Sequence, residues 1–121
     1  MVKRLLTRLS RQRPRMFPSH DQPLLAPKTH GVYLISDKSG RVVHVGRTVR
    51  GKNGLLQRLK NHIHGSSSFA LSHFSGKGSR LRGRYAFQLI EVPNDRTRAL
   101  LEAAAIAWHC PVHLGLSALR K

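Results

Sequence analysis

Two short apolar segments are the clearest feature in the pattern of hydrophobic and polar positions. Residues 31–36 (GVYLIS) and 41–46 (RVVHVG) are rich in β-branched and aromatic side chains, and DKSG lies between them. Such side chains favour strands, and DKSG is typical of a tight turn. The pattern therefore predicts a β-hairpin.

Side-chain alternation divides this hairpin into two faces, provided that the loop has an even number of residues. One face carries two groups able to handle protons, Tyr33 and His44, beside Ile35 and Val42. The other face is uniformly apolar and is predicted to face the core. Its members are Val32, Leu34, Val43 and Val45.

Further along the chain the apolar positions recur at helical spacing. They predict a helix over about 53–64, with Asn53 as a candidate N-cap and Arg58 and His62 one turn apart. Residues 85–92 (YAFQLIEV) have strand composition and are followed by Pro93. Residues 95–109, dominated by alanine and leucine, predict a last helix. Between these elements, residues 77–84 form a basic loop.

Residues 1–29 differ in composition from the rest and are interpreted as a basic N-terminal arm and linker. Residues 1–20 contain six basic side chains and no acidic one, and leucines at helical spacing predict a short amphipathic helix ending before Pro14. Three interpretations stay open: a phosphate-binding arm, a mitochondrial transit peptide and a disordered tail. The folded domain is assigned to residues 30–115 and a C-terminal tail to residues 116–121.

Composition adds a partner to this picture. The 121 residues carry a net charge of +17 and are 40% hydrophobic, which suits one domain with a modest core. No apolar run approaches the roughly 20 residues of a membrane span. So high a charge predicts a polyanionic partner, nucleic acid first and an anionic membrane surface second. The single cysteine favours a reducing compartment, cytoplasmic and nucleoid-associated, or mitochondrial if the arm is a transit peptide.

Glu102 is the one charged residue within ALLEAAAIAW of the last helix. Burying a lone carboxylate costs on the order of several kcal/mol unless the group is paired, protonated or bound to a cation. The alternative is an exposed glutamate that pairs with Arg98, one turn back in the helix.

The order of these segments resembles the GIY-YIG nuclease family over about residues 30–115. His44 replaces the second tyrosine of the family pattern, and His113 stands where asparagine is common. Five elements carry the resemblance: Gly31-Val32-Tyr33, His44-Val45-Gly46 with Arg47-Thr48, Leu55-Leu56-Gln57-Arg58-Leu59, His62, and Glu102 followed by Ile106 and Pro111.

The resemblance implies an α/β domain of the α+β type, a small three-stranded antiparallel sheet flanked by helices, that hydrolyses phosphodiesters. It assigns Glu102 to one Mg²⁺ or Mn²⁺ ion, and a hard cation that keeps its waters needs only one or two carboxylates. Arg58 would stabilise charge on the phosphate. Tyr33, His44 and His62 all stay candidates for the general base.

The sequence therefore predicts a metal-dependent endonuclease acting on DNA, more than on RNA, with structure selectivity or weak sequence specificity. The alternative is a non-catalytic nucleic-acid-binding module on structured RNA or a ribosome that retains the fold. The residues predicted to contact phosphates are Arg47, Arg50, Lys52, Lys60, Lys77, Arg80, Arg82 and Arg84.

Overall fold

Four antiparallel strands form one sheet at the centre of the molecule. They are β1 (Arg15–Met16), β2 (Gly31–Ser36), β3 (Val42–Arg47) and β4 (Ala86–Glu91), in the spatial order β1-β4-β2-β3. The structure is a computed structural model that describes residues 1–114, so the tail predicted at 116–121 lies outside the described residues. The α+β class and the hairpin are confirmed. The predicted sheet had three strands, and the fourth is β1, a two-residue edge strand paired with β4.

Helices cover both faces of this sheet. They are α1 (Val2–Ser10), α2 (Gly54–Ile63), α3 (Ser68–His73) and α4 (Asp95–His109), with a 3-10 turn at Gly78–Leu81. The apolar spacing predicted α2 to within a residue at each end and α4 at both ends. None of the helices within residues 1–114 is both long enough and apolar enough to cross a bilayer.

Both faces of β2 are buried, which differs from the one-sided core that the hairpin pattern predicted. Tyr33 and Ile35 face α2 and α3 with the first apolar cluster, whereas Leu34 faces α1 and α4 with the second. A register shift after Ile35 also exchanges the predicted positions of Val42 and Val43, so that Val43 joins the Tyr33 cluster. A bulge of this kind places two residues opposite one and reverses the alternation beyond it.

Two glycines of the hairpin are explained by close approach of other groups. A Cβ at Gly46 would overlap the hydroxyl end of Tyr33, which lies across from it in the β2–β3 register. A Cβ at Gly31 would overlap the carbonyl oxygen of Ile90 on β4. Any larger residue at position 46 would therefore displace the tyrosine.

The N-terminal segment is packed against the rest of the protein. The apolar side of α1 lies on α4 and β4, and Leu9 and Phe17 are completely buried. The amide of Gln88 on β4 donates to the carbonyl oxygens of Leu9 and Ser10 at 3.3 and 3.1 Å. The helix predicted before Pro14 is confirmed, and the disordered-tail interpretation is not what the structure shows.

Candidate active site

A chain of two short hydrogen bonds joins three elements below the sheet surface. The hydroxyl of Tyr33 on β2 lies 2.6 Å from Nε2 of His62 on α2, and Nδ1 of His62 lies 2.6 Å from Oγ of Ser67. Ser67 is the N-cap of α3 and accepts from the amide of Ala70 at 3.1 Å. All three side chains in this hydrogen-bonded series are buried.

The protonation states of this chain follow from burial. Burial raises the pKa of Tyr33, and the Arg58 guanidinium opposes only part of that rise. Burial lowers the pKa of His62 to about 3, and the nearby positive charge of Arg58 adds to the fall. At neutral pH the pair is therefore a phenol and a neutral imidazole. A neutral imidazole donates through one ring nitrogen and accepts through the other, so Ser67 and Tyr33 together select its tautomer.

Arg58 of α2 presents a guanidinium with unused hydrogen-bonding capacity. Its Nε is buried and has no hydrogen-bond partner among the residues that the structure describes. Buried donors in native proteins nearly always have a partner, so such an atom marks a place where a ligand is expected. Arg58 also lines a cleft of about 390 Å³ whose other walls are residues 47–54 and the exposed side of α2.

Glu102 projects from α4 toward the same groups. Its Oε1 lies 3.5 Å from Nε of Arg47 at the end of β3. Partial burial raises the pKa of Glu102, while the charges of Arg47 and Arg58 counteract that rise. The alternative pairing with Arg98 is wrong. The Arg98 guanidinium pairs with Asp95 at 2.6 Å.

Arg98 instead holds the loop that forms the cleft wall. Its guanidinium is buried and donates to the carbonyl oxygens of Thr48, Val92 and Pro93 at 2.9 to 3.0 Å. The Thr48 hydroxyl accepts from the amide of Gly31 at 3.0 Å. This loop is therefore fixed to β2, β4 and α4 at once, and the cleft exists before any ligand binds.

His44 occupies the position at which the family pattern has its second tyrosine. Its Nδ1 lies 3.0 Å from Nδ1 of His113, and its ring stacks on Phe69 with centroids 4.7 Å apart. Burial lowers the pKa of His44 to about 2, with the neighbouring His62 and His113 contributing. Its Nε2 is buried and lacks a partner among residues 1–114. The backbone amide of His113 donates to the carbonyl oxygen of Val43 at 2.9 Å, which fixes this segment against β3.

The predicted phosphate contacts divide into two groups in space. Arg47, Arg50 and Lys52 line the cleft beside Arg58, and Lys60 is exposed on α2. The 77–84 segment lies elsewhere: Arg80 and Arg84 line a separate pocket of about 660 Å³ with Tyr85, and Lys77 is exposed. Arg82 is engaged with the N-terminal segment, since its guanidinium donates to the carbonyl oxygens of Pro18, Ser19 and Gln22 at 3.2 to 3.3 Å.

The donor set suits one cation that prefers oxygen ligands and keeps several waters, rather than one held by a cluster of histidines or cysteines. No group of three or more His, Cys, Asp or Glu side chains with metal-binding geometry occurs among residues 1–114. Among residues 1–114, Glu102 is the one carboxylate near Arg58 and Tyr33, and it keeps part of its surface exposed. A magnesium-type ion bound through one carboxylate, waters and a substrate phosphate would fit these groups.

The contacts of two site residues, Ser67 and His113, could not be predicted from the sequence. Ser67 precedes a short helix and has the residue type of an N-cap, but nothing in the sequence connects it to His62. His113 is recognisable only as the residue at the position of the common asparagine, and its bond to His44 spans 69 positions along the chain. Both contacts are made by tertiary structure.

The fold and the site define a class, that of the GIY-YIG endonuclease domains. The N-terminal GIY-YIG domain of UvrC from Thermotoga maritima matches with a TM-score of 0.55 and 25% identity, over 76% of this chain and 90% of that domain. Its solved structure is described as bound to its catalytic magnesium. Single-residue variants of the same domain match with TM-scores of 0.54 and 0.55.

A curated relative agrees with this assignment. UvrABC system protein C of Treponema denticola is 36% identical over 93 residues, which cover 76% of this chain and 13% of the relative. No family model matches the chain. Sequence and fold both support assigning the chain to the GIY-YIG family.

Proposed function

We propose that this protein is a metal-dependent endonuclease that hydrolyses phosphodiester bonds in DNA, with structure selectivity or weak sequence specificity. The observation that supports it most is the proximity of Tyr33, Arg58 and Glu102, from β2, α2 and α4, beside the preformed cleft that Arg58 lines. The UvrC domain of Thermotoga maritima is named an endonuclease bound to magnesium. Because the chain spans 13% of the length of the curated UvrC, the activity is proposed from the site.

Glu102 would hold the divalent cation, Mg²⁺ or Mn²⁺, one ion in the site. The cation, when bound, supplies Lewis-acid stabilisation of the phosphate oxygens. Burial raises the pKa of this carboxyl, and the nearby charges of Arg47 and Arg58 favour its ionised form and counteract that rise. Arg47 is thereby a candidate both for orienting Glu102 and for contacting a phosphate.

Arg58 would bind the non-bridging oxygens of the scissile phosphate. Its Nε is a buried donor without a partner among the described residues, and an anionic oxygen would satisfy it. A planar guanidinium matches phosphate geometry and stabilises charge that develops at phosphorus. The fixed 47–54 loop would place Arg50 and Lys52 along the flanking phosphates.

The Tyr33–His62 pair would move the proton of the attacking water. A phenol with a raised pKa is a poor base by itself. It can accept the water proton at Oη if its own proton passes to Nε2 of His62, 2.6 Å away. The incoming phosphate anion would favour this transfer by opposing the Arg58 charge that lowers the pKa of His62. In this scheme His44 supports the site through Phe69 and His113 and takes no proton.

The proposal is tested by cleavage of branched, nicked and single-stranded DNA and of RNA, with Mg²⁺, with Mn²⁺ and with chelator. Glu102→Gln preserves the shape of the side chain and removes the charge, so we expect cutting to disappear while gel-shift binding persists. Glu91→Gln is the matched control, because Glu91 is an exposed glutamate on β4 away from the cleft. Binding without cutting under every metal would instead favour the non-catalytic nucleic-acid-binding module.

The predicted location, cytoplasmic and nucleoid-associated or mitochondrial, stays part of this proposal, as does the preference for DNA over RNA. Residues 77–84 would contribute through Lys77, Arg80 and Arg84 only to a substrate that extends beyond the cleft, because these residues lie outside its lining. Cleavage of short and long substrates by an Arg80→Gln variant would measure that contribution. We expect a loss confined to the long ones.

A further inference from the structure

A groove between α1 and α4 exposes a tryptophan. The Trp108 side chain is 73% exposed, although tryptophan is among the residues that proteins bury most on average. The groove measures about 430 Å³ and lies away from the cleft described above. Its lining consists of Lys3, Leu6, Thr7, Ser10, Arg11 and Trp108.

The way in which α1 docks explains why this tryptophan stays uncovered. The apolar side of α1, with Leu5 and Leu9, is used against α4 and the sheet. Ser10 bonds Nε2 of His109 through its hydroxyl at 3.0 Å and fixes the end of α1 beside the end of α4. The indole of Trp108 is therefore held at the rim of the groove. A basic helix that has already buried its apolar side cannot also lay that side into a membrane.

The charge around the groove favours an anionic ligand that also offers a flat apolar surface. Two lining residues, Lys3 and Arg11, are cations, and none is a carboxylate. Bases stack on exposed aromatic rings while neighbouring lysines and arginines bind the phosphates, which is how proteins bind single-stranded nucleic acid without reading sequence. We propose that the groove binds an unpaired base of single-stranded DNA on Trp108, with the flanking phosphates on Lys3 and Arg11.

The position of the groove relative to Glu102 gives this site a role. Trp108 and Glu102 belong to the same helix and are six residues apart, which corresponds to about 9 Å along its axis. One strand can therefore reach both. Resting on the proposed nuclease function, the groove would select substrates whose bases are unpaired within a few nucleotides of the cleaved bond. It would thus supply the structure selectivity, which the cleft by itself does not explain.

The experiment uses the tryptophan itself as the probe, since it is the only one in the chain. Titration of Glu102→Gln protein with an oligothymidine, without metal, is expected to quench the tryptophan fluorescence to saturation, and a blunt duplex is expected to quench it far less. Trp108→Ala should weaken oligothymidine binding about tenfold in a polarisation assay, the scale typical of losing one stacked base. Leu25→Ala is the control, an apolar side chain equally 73% exposed.

Charge variants test the phosphate contacts separately from stacking. Lys3→Gln and Arg11→Gln should each lower the salt dependence of oligothymidine binding by about one unit of slope or slightly less. Saturable binding with unchanged fluorescence, or a Trp108→Ala variant that binds like Leu25→Ala, would overturn the proposal. Quenching by vesicles rich in phosphatidylserine but not by oligothymidine would also overturn it. The same holds if the quenching depends on protein concentration and needs no DNA.

These readouts separate the groove from the nuclease. Quenching by oligothymidine together with a wild-type protein that cuts no substrate would retain the groove and remove the proposed function. If the protein cuts branched and duplex DNA equally well with metal, and Trp108→Ala does not change this, the nuclease function stands. The proposal that the groove selects the substrate is then wrong.

Discussion

Replacing Tyr33 by phenylalanine tests the buried hydrogen-bond chain by removing one atom. Phenylalanine fills the same space, so no cavity is created in the first apolar cluster. What disappears is the 2.6 Å bond between the tyrosine hydroxyl and Nε2 of His62. His62 is completely buried, so water cannot replace the lost partner.

The expected cost follows from the asymmetry of buried hydrogen bonds. A hydrogen bond of this kind contributes about 1 kcal/mol to stability. Removing one partner costs more, about 1–3 kcal/mol in total, because the other buried group is left without a hydrogen bond. We expect Tyr33→Phe to lower the free energy of unfolding by about 2 kcal/mol. For a domain of this size that corresponds to a fall in Tm of roughly 8 °C.

Urea unfolding followed by circular dichroism measures this difference. Tyr85→Phe is the matched control, because Tyr85 is the second of two tyrosines in the chain and is only partly buried. A second variant, His62→Leu, should make the effect of Tyr33→Phe largely vanish, because the orphaned nitrogen is then absent. A Tyr33→Phe protein as stable as the Tyr85→Phe control would refute the reasoning, whatever its activity.

Other predictions concern Ser67, Arg98 and the titration of the buried histidines. Ser67→Gly keeps most of the capping of α3, since glycine costs an N-cap only a few tenths of a kcal/mol, but it leaves the His62 tautomer unselected. We expect a cleavage rate reduced more than about tenfold, on the scale of acid–base contributions, together with a loss of about 1–3 kcal/mol of stability from the unpartnered His62 nitrogen, and recovery of both in Ser67→Thr. Arg98→Met should lower stability in urea by about 2–3 kcal/mol, because three buried or half-buried carbonyl oxygens lose their donor. Burial lowers the pKa of His44 to about 2 and that of His62 to about 3, so below pH about 6.5 the unfolded chain takes up protons that the folded chain does not. Stability should therefore fall as the pH falls from about 6.5 toward 3, by up to about 1.4 kcal/mol per unit for each histidine; pH-dependent urea midpoints that stay level there would contradict the burial of these rings.

Local sequence patterns predicted most of the secondary structure because those elements satisfy local rules. The alternation around Tyr33 is typical of a strand, and the apolar spacing of 55–63 is typical of a helix. The last helix has the ends that its alanine- and leucine-rich segment predicted, and the structure shows why: Asn94 caps the amide of Thr97, and Cys110 and then Pro111 follow its last residue.

Other features depend on contacts that no local pattern encodes. The bulge that exchanges Val42 and Val43 is set by how β3 pairs with β2. Asn53 occupies the N-cap position of α2, yet its side chain makes no capping bond, because backbone carbonyls of Pro27 and Thr29 accept from the first amides. The pairing of Glu102 with Arg47 instead of Arg98 likewise depends on the meeting of β3 and α4.

The low pKa of both histidines also changes one expectation from the sequence. With ordinary pKa values, a histidine base would make the cleavage rate rise through pH about 6–7. Because burial lowers the pKa of His44 and of His62 far below that range, neither ring titrates there in the protein without substrate. Glu102 is then the group whose ionisation the rate would follow, and burial raises the pKa of that carboxyl above its usual value.

The contact between His113 and β3 has a consequence for how copies of this protein behave in solution. β3 is an outer strand, and an exposed outer strand can pair with another chain and seed aggregation. The backbone amide of His113 donates a hydrogen bond to the carbonyl oxygen of Val43. The segment after α4 therefore covers part of this edge of the sheet. Chains shortened at Cys110 would keep their helices and still precipitate more readily, because the ladder of β3 would be open to a neighbour.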